Sequence, residues 1–312
     1  MSSSLLRLVA FFLSIVCWAG AGQAAAIVVV SSESSTSYVA TVDALLSELE
    51  RNGVPRADVV LRNASDLGGA DIAEPTPPRL FIALGTEALK QVLGREVRVP
   101  VIAALIPRIG FERVTKEFGK KTPTSVTAVY LDQPLGRQLD LLRLAMPDAK
   151  RVGVLWGPES ASLQPTLTSV LQLRGLQEVG GQVGAGGALF SGLKAALDNA
   201  DVLLALPDSY VYNSATVANI LFATYRARVP VLAFSPSYVK AGALMSLHTT
   251  SVQVGVQTAA MVRSWLHSGI LPPPLYPIDF SVTVNEHVAR SLGLKLDGAA
   301  LADRLHRLET LP

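Results

Sequence analysis

The sequence is poor in what catalytic and metal centres are made from. One cysteine, Cys17, stands in 312 residues, so no internal disulfide can form and a cysteine-based zinc site is excluded. The four histidines, His248, His267, His287 and His306, lie 19 or 20 residues apart. No two fall on one helical turn, and no metal site is expected. Charged residues make up 17% of the chain and the formal net charge is +2, with no cluster of lysine or arginine. A nucleic-acid partner is therefore not expected. The phosphate loop Gly-x-x-x-x-Gly-Lys-Ser/Thr and the nucleophile elbow Gly-x-Ser-x-Gly are both missing. Gly184-Ala185-Gly186-Gly187 fails the dinucleotide pattern, because Leu189 stands where glycine or alanine is required. No paired carboxylates suggest glycosidic acid–base work. The expectation is a protein that is not an enzyme and uses no cofactor.

Apolar residues are plentiful. They make up 49% of the chain, and the mean hydropathy is +0.37, which excludes disorder and supplies a core. The length suits about two domains. Met1 to Ala26 reads as a secretory signal peptide. Arg7 is the basic start, Leu8 to Trp18 an apolar run of 11 residues, and Ala19 to Ala26 a small-residue cleavage region. Val16 and Trp18 are too large beside Cys17 for a lipoprotein signal, and cleavage after Ala24 or Ala26 removes the only thiol. The expected location is the periplasm. Two long uncharged stretches, 209–225 and 241–262, carry too many polar residues for lipid, so no later membrane span is expected.

Ten short β-rich runs recur: 27–30, 59–61, 80–84, 101–105, 126–130, 152–155, 202–206, 229–233, 243–247 and 280–284. Most are continuously apolar, as strands covered on both faces are. Helical spacing fills the gaps. Examples are Val39, Val42, Leu45, Leu46 and Leu49; Leu135, Leu139, Leu142 and Met146; and Val252, Val256, Ala259 and Val262. This alternation predicts an α/β fold of parallel sheets built from βαβ units. An internal repeat divides it in two. Residues 98–104 match 228–234 at five of seven positions, residues 80–85 resemble 202–207, and Val28 aligns with Gly153. The expected organisation is a first lobe of 27–134 plus 248–312 and a second of 135–247, joined by a hinge. Leu271 to Pro277 is proline-rich and must be extended, either as a surface loop or as a stiff connector beside the hinge. Glu74 to Pro78 reads as a loop and Gly180–Gly187 as a flexible turn.

In open α/β sheets ligands sit beyond the carboxyl ends of the strands. The candidates there are Ser31, Ser32 and Ser35 after the first strand, and Gly85 and Thr86 after the third. In the second lobe they are Trp156, Asp208, Ser209, Phe234 and Ser235. Each has a plainer alternative. Ser35 could cap a helix, Gly85-Thr86 could make a turn, and Asp208 could be an N-cap rather than a partner for an ammonium or sugar hydroxyl. Trp156 and Phe234 could stack on a flat ligand or fill the core.

Taken in order, Ile82-Ala83-Leu84-Gly85-Thr86, Val99-Pro100-Val101, Met146-Pro147, Lys150 to Leu155, Leu206-Pro207-Asp208-Ser209, Val229-Pro230-Val231, Val239 to Ala243, Val284-Asn285 and Leu292-Gly293-Leu294 resemble a group of ABC-transporter substrate-binding proteins. The likeness runs from about residue 27 to 305. It implies two Rossmann-like lobes of the type I periplasmic-binding fold, which capture a small solute and deliver it to an inner-membrane ABC permease. Relatives of this group are associated with uptake of amino acids, aromatic ones in particular. A monomer is expected. A periplasmic sensing module for a membrane signalling partner is the alternative. Two departures fall near the expected cleft. Leu105 to Ile109 replaces an Asp-Pro-Val element, and Ser125 to Ala128 replaces an Asn-Thr-Gly segment.

Overall fold

A computed structural model describes residues 27–67, 78–95, 97–118, 125–184 and 189–310. The expected signal peptide, residues 74–77 of the first loop and residues 185–187 of the second lie outside the described residues.

The first sheet holds β1 (Ile27–Ser31), β2 (Val59–Asn63), β3 (Leu80–Leu84), β4 (Val101–Ile106) and β5 (Val126–Tyr130) in the order β2-β1-β3-β4-β5. All its pairings are parallel. On one face lie α1 (Thr36–Arg51) and α9 (Ser251–Ser268), sharing a core with Ile27, Val29 and Ile82. On the other lie α2 (Thr86–Leu93) and α3 (Arg108–Phe118). Both faces are therefore covered over β1, β3 and β4, which is why those strands read as apolar runs.

The second sheet holds β6 (Arg151–Trp156), β7 (Gln177–Gln182), β8 (Val202–Leu204), β9 (Val231–Ala233), β10 (Met245–His248) and β11 (Ser281–Val284) in the order β11-β10-β9-β8-β6-β7. Only β11 runs antiparallel, against β10. Its helices are α4 (Leu135–Ala145), α5 (Gln164–Gln172), α6 (Leu189–Leu197), α7 (Val217–Ala227), α8 (Pro236–Ala241), α10 (Glu286–Ser291) and α11 (Gly298–Thr310). With β11 set aside, the order β7-β6-β8-β9-β10 repeats that of the first sheet. The three sequence matches fall on equivalent strands: β1 with β6, β3 with β8, and β4 with β9. Among the described residues no helix is long and apolar enough to cross a membrane.

Three sequence expectations change. The glycine-rich turn is partly a strand, because Gly180 and Gly181 belong to β7. A Cβ on Gly181 would collide with the Gly192 carbonyl, so glycine there marks the close approach of α6. The chain after Pro277 was expected in the first lobe. Instead β11 extends the second sheet, and Phe280, Leu301 and Leu305 enter the second core. One antiparallel strand at a sheet edge leaves no mark in a βαβ pattern. Finally, α9 buries Val254, Gly255, Thr258, Met261 and Trp265 together with the expected Ala259 and Val262, while Val252 and Val256 are exposed. Gly255 stands on that inner stripe because the backbone there runs close to α1, where the Thr41 hydroxyl donates to the Ser251 carbonyl at 3.0 Å.

The polypeptide passes between the two sheets three times: near Gln133, near Thr249 and near Pro277. Arg137 ties the passages together. It donates to Gln133 Oε1 and to the Pro277 carbonyl, each at 2.8 Å, pairs with Glu309, and lies over the Phe280 ring. Gln133 in turn bonds the Thr249 hydroxyl. The proline-rich connector lies along the free edge of β5. The Leu275 amide donates to the Ala128 carbonyl at 2.8 Å, and its carbonyl accepts from the Tyr130 amide at 2.9 Å. Pro272 to Pro274 have no N–H, so they suit an edge that ends the ladder.

Candidate functional site

In each sheet the strand order reverses between two neighbours, β1 and β3 in the first, β6 and β8 in the second. In open α/β sheets the loops leaving such strands at their carboxyl ends flank the ligand crevice. In the first lobe they are 31–35 and 85–86. The Ser32 hydroxyl donates to the Leu84 carbonyl at 2.9 Å and accepts from the Ala88 amide at 2.8 Å. It thereby caps α2 from another strand. Gly85 holds φ +89° and ψ 169°, a region open only to glycine. A Cβ there would strike the Tyr38 hydroxyl and lie 2.6 Å from Ser32 Oγ. Burial raises the Tyr38 pKa, the nearby Glu33 adds to this, and the Ser32 hydrogen bond opposes it. Ser31 donates to the Glu33 carbonyl at 2.7 Å and borders a depression of about 270 Å³ beside Tyr38 and Asn63. Ser35 is exposed at the start of α1 and makes no capping bond with its side chain. Thr86 is half-buried at the start of α2.

The second lobe uses a carboxylate for the same task. Asp208 is buried, and its Oδ2 accepts from the Glu159 amide at 3.0 Å, the Ser160 amide at 2.7 Å and the Ser160 hydroxyl at 2.8 Å. Its Oδ1 accepts from the Tyr210 amide at 3.0 Å. Those bonds fix the 157–160 turn against the 208–210 turn, so Asp208 faces protein donors. Trp156 is fully buried in the second core and donates its indole N–H to Glu178 at 2.8 Å; it has no free face for stacking. Phe234 is half-buried and meets Tyr212 and Tyr238 edge-on at 5.8 and 5.0 Å. Ser235 caps α8 by accepting from the Ser237 amide at 3.3 Å. Ser209 is exposed, and its amide donates to Glu159 Oε2 at 2.8 Å.

The two walls meet through residues outside the sequence-derived set. Arg113 of α3 reaches across to Glu159, Nη1 to Oε1 at 2.7 Å. Burial works against the Glu159 charge, yet the Ser209 amide and the Arg113 guanidinium hold its carboxyl below the usual range. Deeper, beside the hinge, Arg108 bonds Glu112 at 2.6 Å and the Tyr276 hydroxyl at 3.0 Å, while its amide donates to Asp132 Oδ1 at 2.8 Å. Burial pushes the Asp132 carboxyl up to about 6 and the Tyr130 hydroxyl up to about 12. Leu105 holds φ +52° where the β4–β5 register shifts, a bulge that redirects the chain just before Arg108.

The structure thus gathers Ser32, Gly85 and Thr86 at one switch point, and Asp208 and Ser209 at the other. Trp156 goes to the core and Phe234 to an aromatic cluster. Sequence reasoning missed Tyr38, Arg108, Arg113, Glu159 and Tyr276. Glu159 was within reach of the strand-end rule, three residues past Trp156, and Arg108 lies inside a segment already marked as unusual. Arg113 and Tyr276 left no signal. Among the described residues no group of three or more His, Cys, Asp or Glu side chains is placed to hold a metal ion.

Similar folds are known. A conserved domain protein from Vibrio cholerae is 22% identical, with a TM-score of 0.60 over 88% of this chain and 97% of that one. The ligand-free, open form of a substrate-binding protein with adhesive properties from Clostridium difficile is 18% identical, with a TM-score of 0.68 over 87% and 95%. A Streptococcus pneumonia protein crystallised with L-Trp is 18% identical, with a TM-score of 0.62 over 89% and 97%. No curated protein matches the chain. The sequence pattern of the family described as ABC transporter substrate binding protein matches residues 26–303, and the chain belongs to that family.

Proposed function

We propose that this protein captures a small zwitterionic solute, an amino acid, between its lobes and presents it to an inner-membrane ABC permease from the periplasm. One observation carries the reading: the Arg113–Glu159 ion pair joins α3 of the first lobe to the turn after β6 of the second. A cation on one wall and an anion on the other suit a ligand that brings one charge of each sign. The S. pneumonia relative crystallised with L-Trp supports the same class. Ser31, Thr86 and Ser209 are the accessible polar groups that would meet the solute. Ser32, Gly85 and Asp208 hold those loops in place. A ligand that touches both lobes favours the closed arrangement by its difference in affinity for the two states.

The test is a thermal-shift screen of the twenty amino acids against neutral sugars, followed by small-angle scattering with the best hit. An amino acid that raises the melting temperature and shrinks the radius of gyration is the expected result. Stabilisation by sugars alone would overturn the amino-acid assignment. A saturating ligand that leaves the scattering unchanged would overturn capture by closure.

A further inference from the structure

The carboxyl ends of the second-lobe strands face the crevice. At the opposite end, where β9 begins, lies a separate groove of about 840 Å³. It is walled by the last turns of α7, the link from α7 to β9, and α10. Leu221, Val229, Val231 and Leu292 make its floor apolar, while Arg226, Arg228 and His287 supply its polar wall. No acidic side chain lines it, and neither arginine has a carboxylate partner among the described residues. Arg228 holds φ +56° at the end of α7, a conformation that glycine adopts at less cost.

The helix beside the groove is unusual for a surface element. Its outer side carries Phe222 and Tyr225, 62% and 78% exposed, with the Arg226 guanidinium 5.8 Å from the Phe222 ring centroid. Exposed aromatic rings next to unpaired guanidinium groups are what a bilayer interface selects. The rings settle at headgroup depth and the cations pair with phosphate. An apolar floor behind the arginines has room for the first part of an acyl chain.

We propose that this face docks the protein on an anionic phospholipid surface, with a headgroup phosphate held between Arg226 and Arg228. The proposal is independent of the solute in the crevice. It is tested by flotation of the purified protein with vesicles of phosphatidylcholine alone and of phosphatidylcholine mixed with phosphatidylglycerol, at low and physiological salt. Binding to the phosphatidylglycerol vesicles only, weakened by salt, is expected. Arg226→Glu with Arg228→Glu lowers partitioning by at least about thirtyfold, the loss expected from removing two basic residues at such a surface. Phe222→Ser with Tyr225→Ser lowers it without changing the charge. Arg143→Glu with Arg304→Glu, exposed positions elsewhere with the same change in charge, leaves it within about twofold. Melting curves establish that each variant is folded. Equal loss in both charge-reversed pairs would overturn the groove in favour of net charge. No partitioning to either vesicle would overturn the lipid surface, and capture of an acidic polypeptide by the same arginines would then name a different partner.

Discussion

At the first lobe's switch point two hydroxyls, Ser32 and Tyr38, crowd a glycine; at the second, the Asp208 carboxylate gathers four donors. The strand order is the same in both, and Asp208 occupies the repeat position of Thr86. A shared topology therefore decides where the loops converge and leaves open what holds them. Neutral groups suffice where a helix start can be capped from the adjoining strand. A charge is used where two turns must be locked face to face.

This contrast breaks first at Asp208. Asp208→Ala leaves three amides and one hydroxyl without their acceptor in a buried turn. Stability should fall by about 3–5 kcal/mol, as read from urea denaturation. Asp208→Asn keeps one acceptor oxygen but turns an amide group toward donors, and should cost about 2 kcal/mol. A loss under 1 kcal/mol for the alanine variant would show that the turns hold without the carboxylate.

Gly85→Ala tests the other lobe. Both the positive φ and the contact with Tyr38 and Ser32 oppose a methyl group, for an expected loss of about 2–4 kcal/mol. Pro207, at the equivalent repeat position, has no such requirement, and Pro207→Ala should stay within about 1 kcal/mol. Equal losses at the two positions would erase the proposed difference between the lobes.

Asp132 extends the comparison to a carboxylate with fewer partners. Asp208 has four donors, whereas Asp132 accepts from the Arg108 amide, and burial dominates it. Its folded pKa, near 6, lies above the unfolded value near 4. Between those values the folded state keeps a proton that the unfolded state has released. Stability therefore falls as pH rises from about 4 to about 6, by roughly 2–3 kcal/mol, and is flat above that window. Asp132→Asn removes this slope and raises the melting temperature at pH 7. Denaturation midpoints measured from pH 4 to 7.5 check both.

Much of this architecture was legible because burial on two faces writes a strand as an apolar run, and because the repeat displays its own offset. Ten strands could be placed, most of them that way. β7 could not, since Gly180 and Gly181 are present for contact with α6 and read as a turn. The third hinge passage was hidden too, because the run at 280–284 reads as a strand without showing that it joins the second sheet at an antiparallel edge. The site was half legible for a related reason. The strand-end rule finds loops, and it found Ser32, Gly85 and Asp208. It cannot separate a side chain that meets a ligand from one that holds the loop, since both are polar and both sit at strand ends. Trp156 shows the same limit in apolar form: its indole N–H is satisfied internally by Glu178, 22 residues away on β7. Arg113 lies within a helix, where only the opposing lobe gives it meaning.

The smallest effect concerns the contact that joins the two walls. Arg113 is 53% exposed at its side chain and Glu159 20%, so their ion pair contributes at most about 1 kcal/mol to stability. Arg113→Ala should leave the melting temperature nearly unchanged. The pair has a second role, because it exists only while the lobes are close. Losing it shifts the ligand-free protein toward the open form by about fivefold at most, and affinity for the solute falls by at least that factor, because the guanidinium that meets the solute is lost as well. Both changes should fade as salt rises, since the pair lies at the rim. They should also fade on acidification, but only below the ordinary carboxylate range, because the Ser209 amide and Arg113 keep Glu159 ionised against its burial. Scattering of the ligand-free protein at low salt, wild type against Arg113→Ala, decides the matter. An unchanged radius of gyration would mean that the three hinge passages alone set the distance between the lobes, and that the difference between the two walls has no bearing on closure.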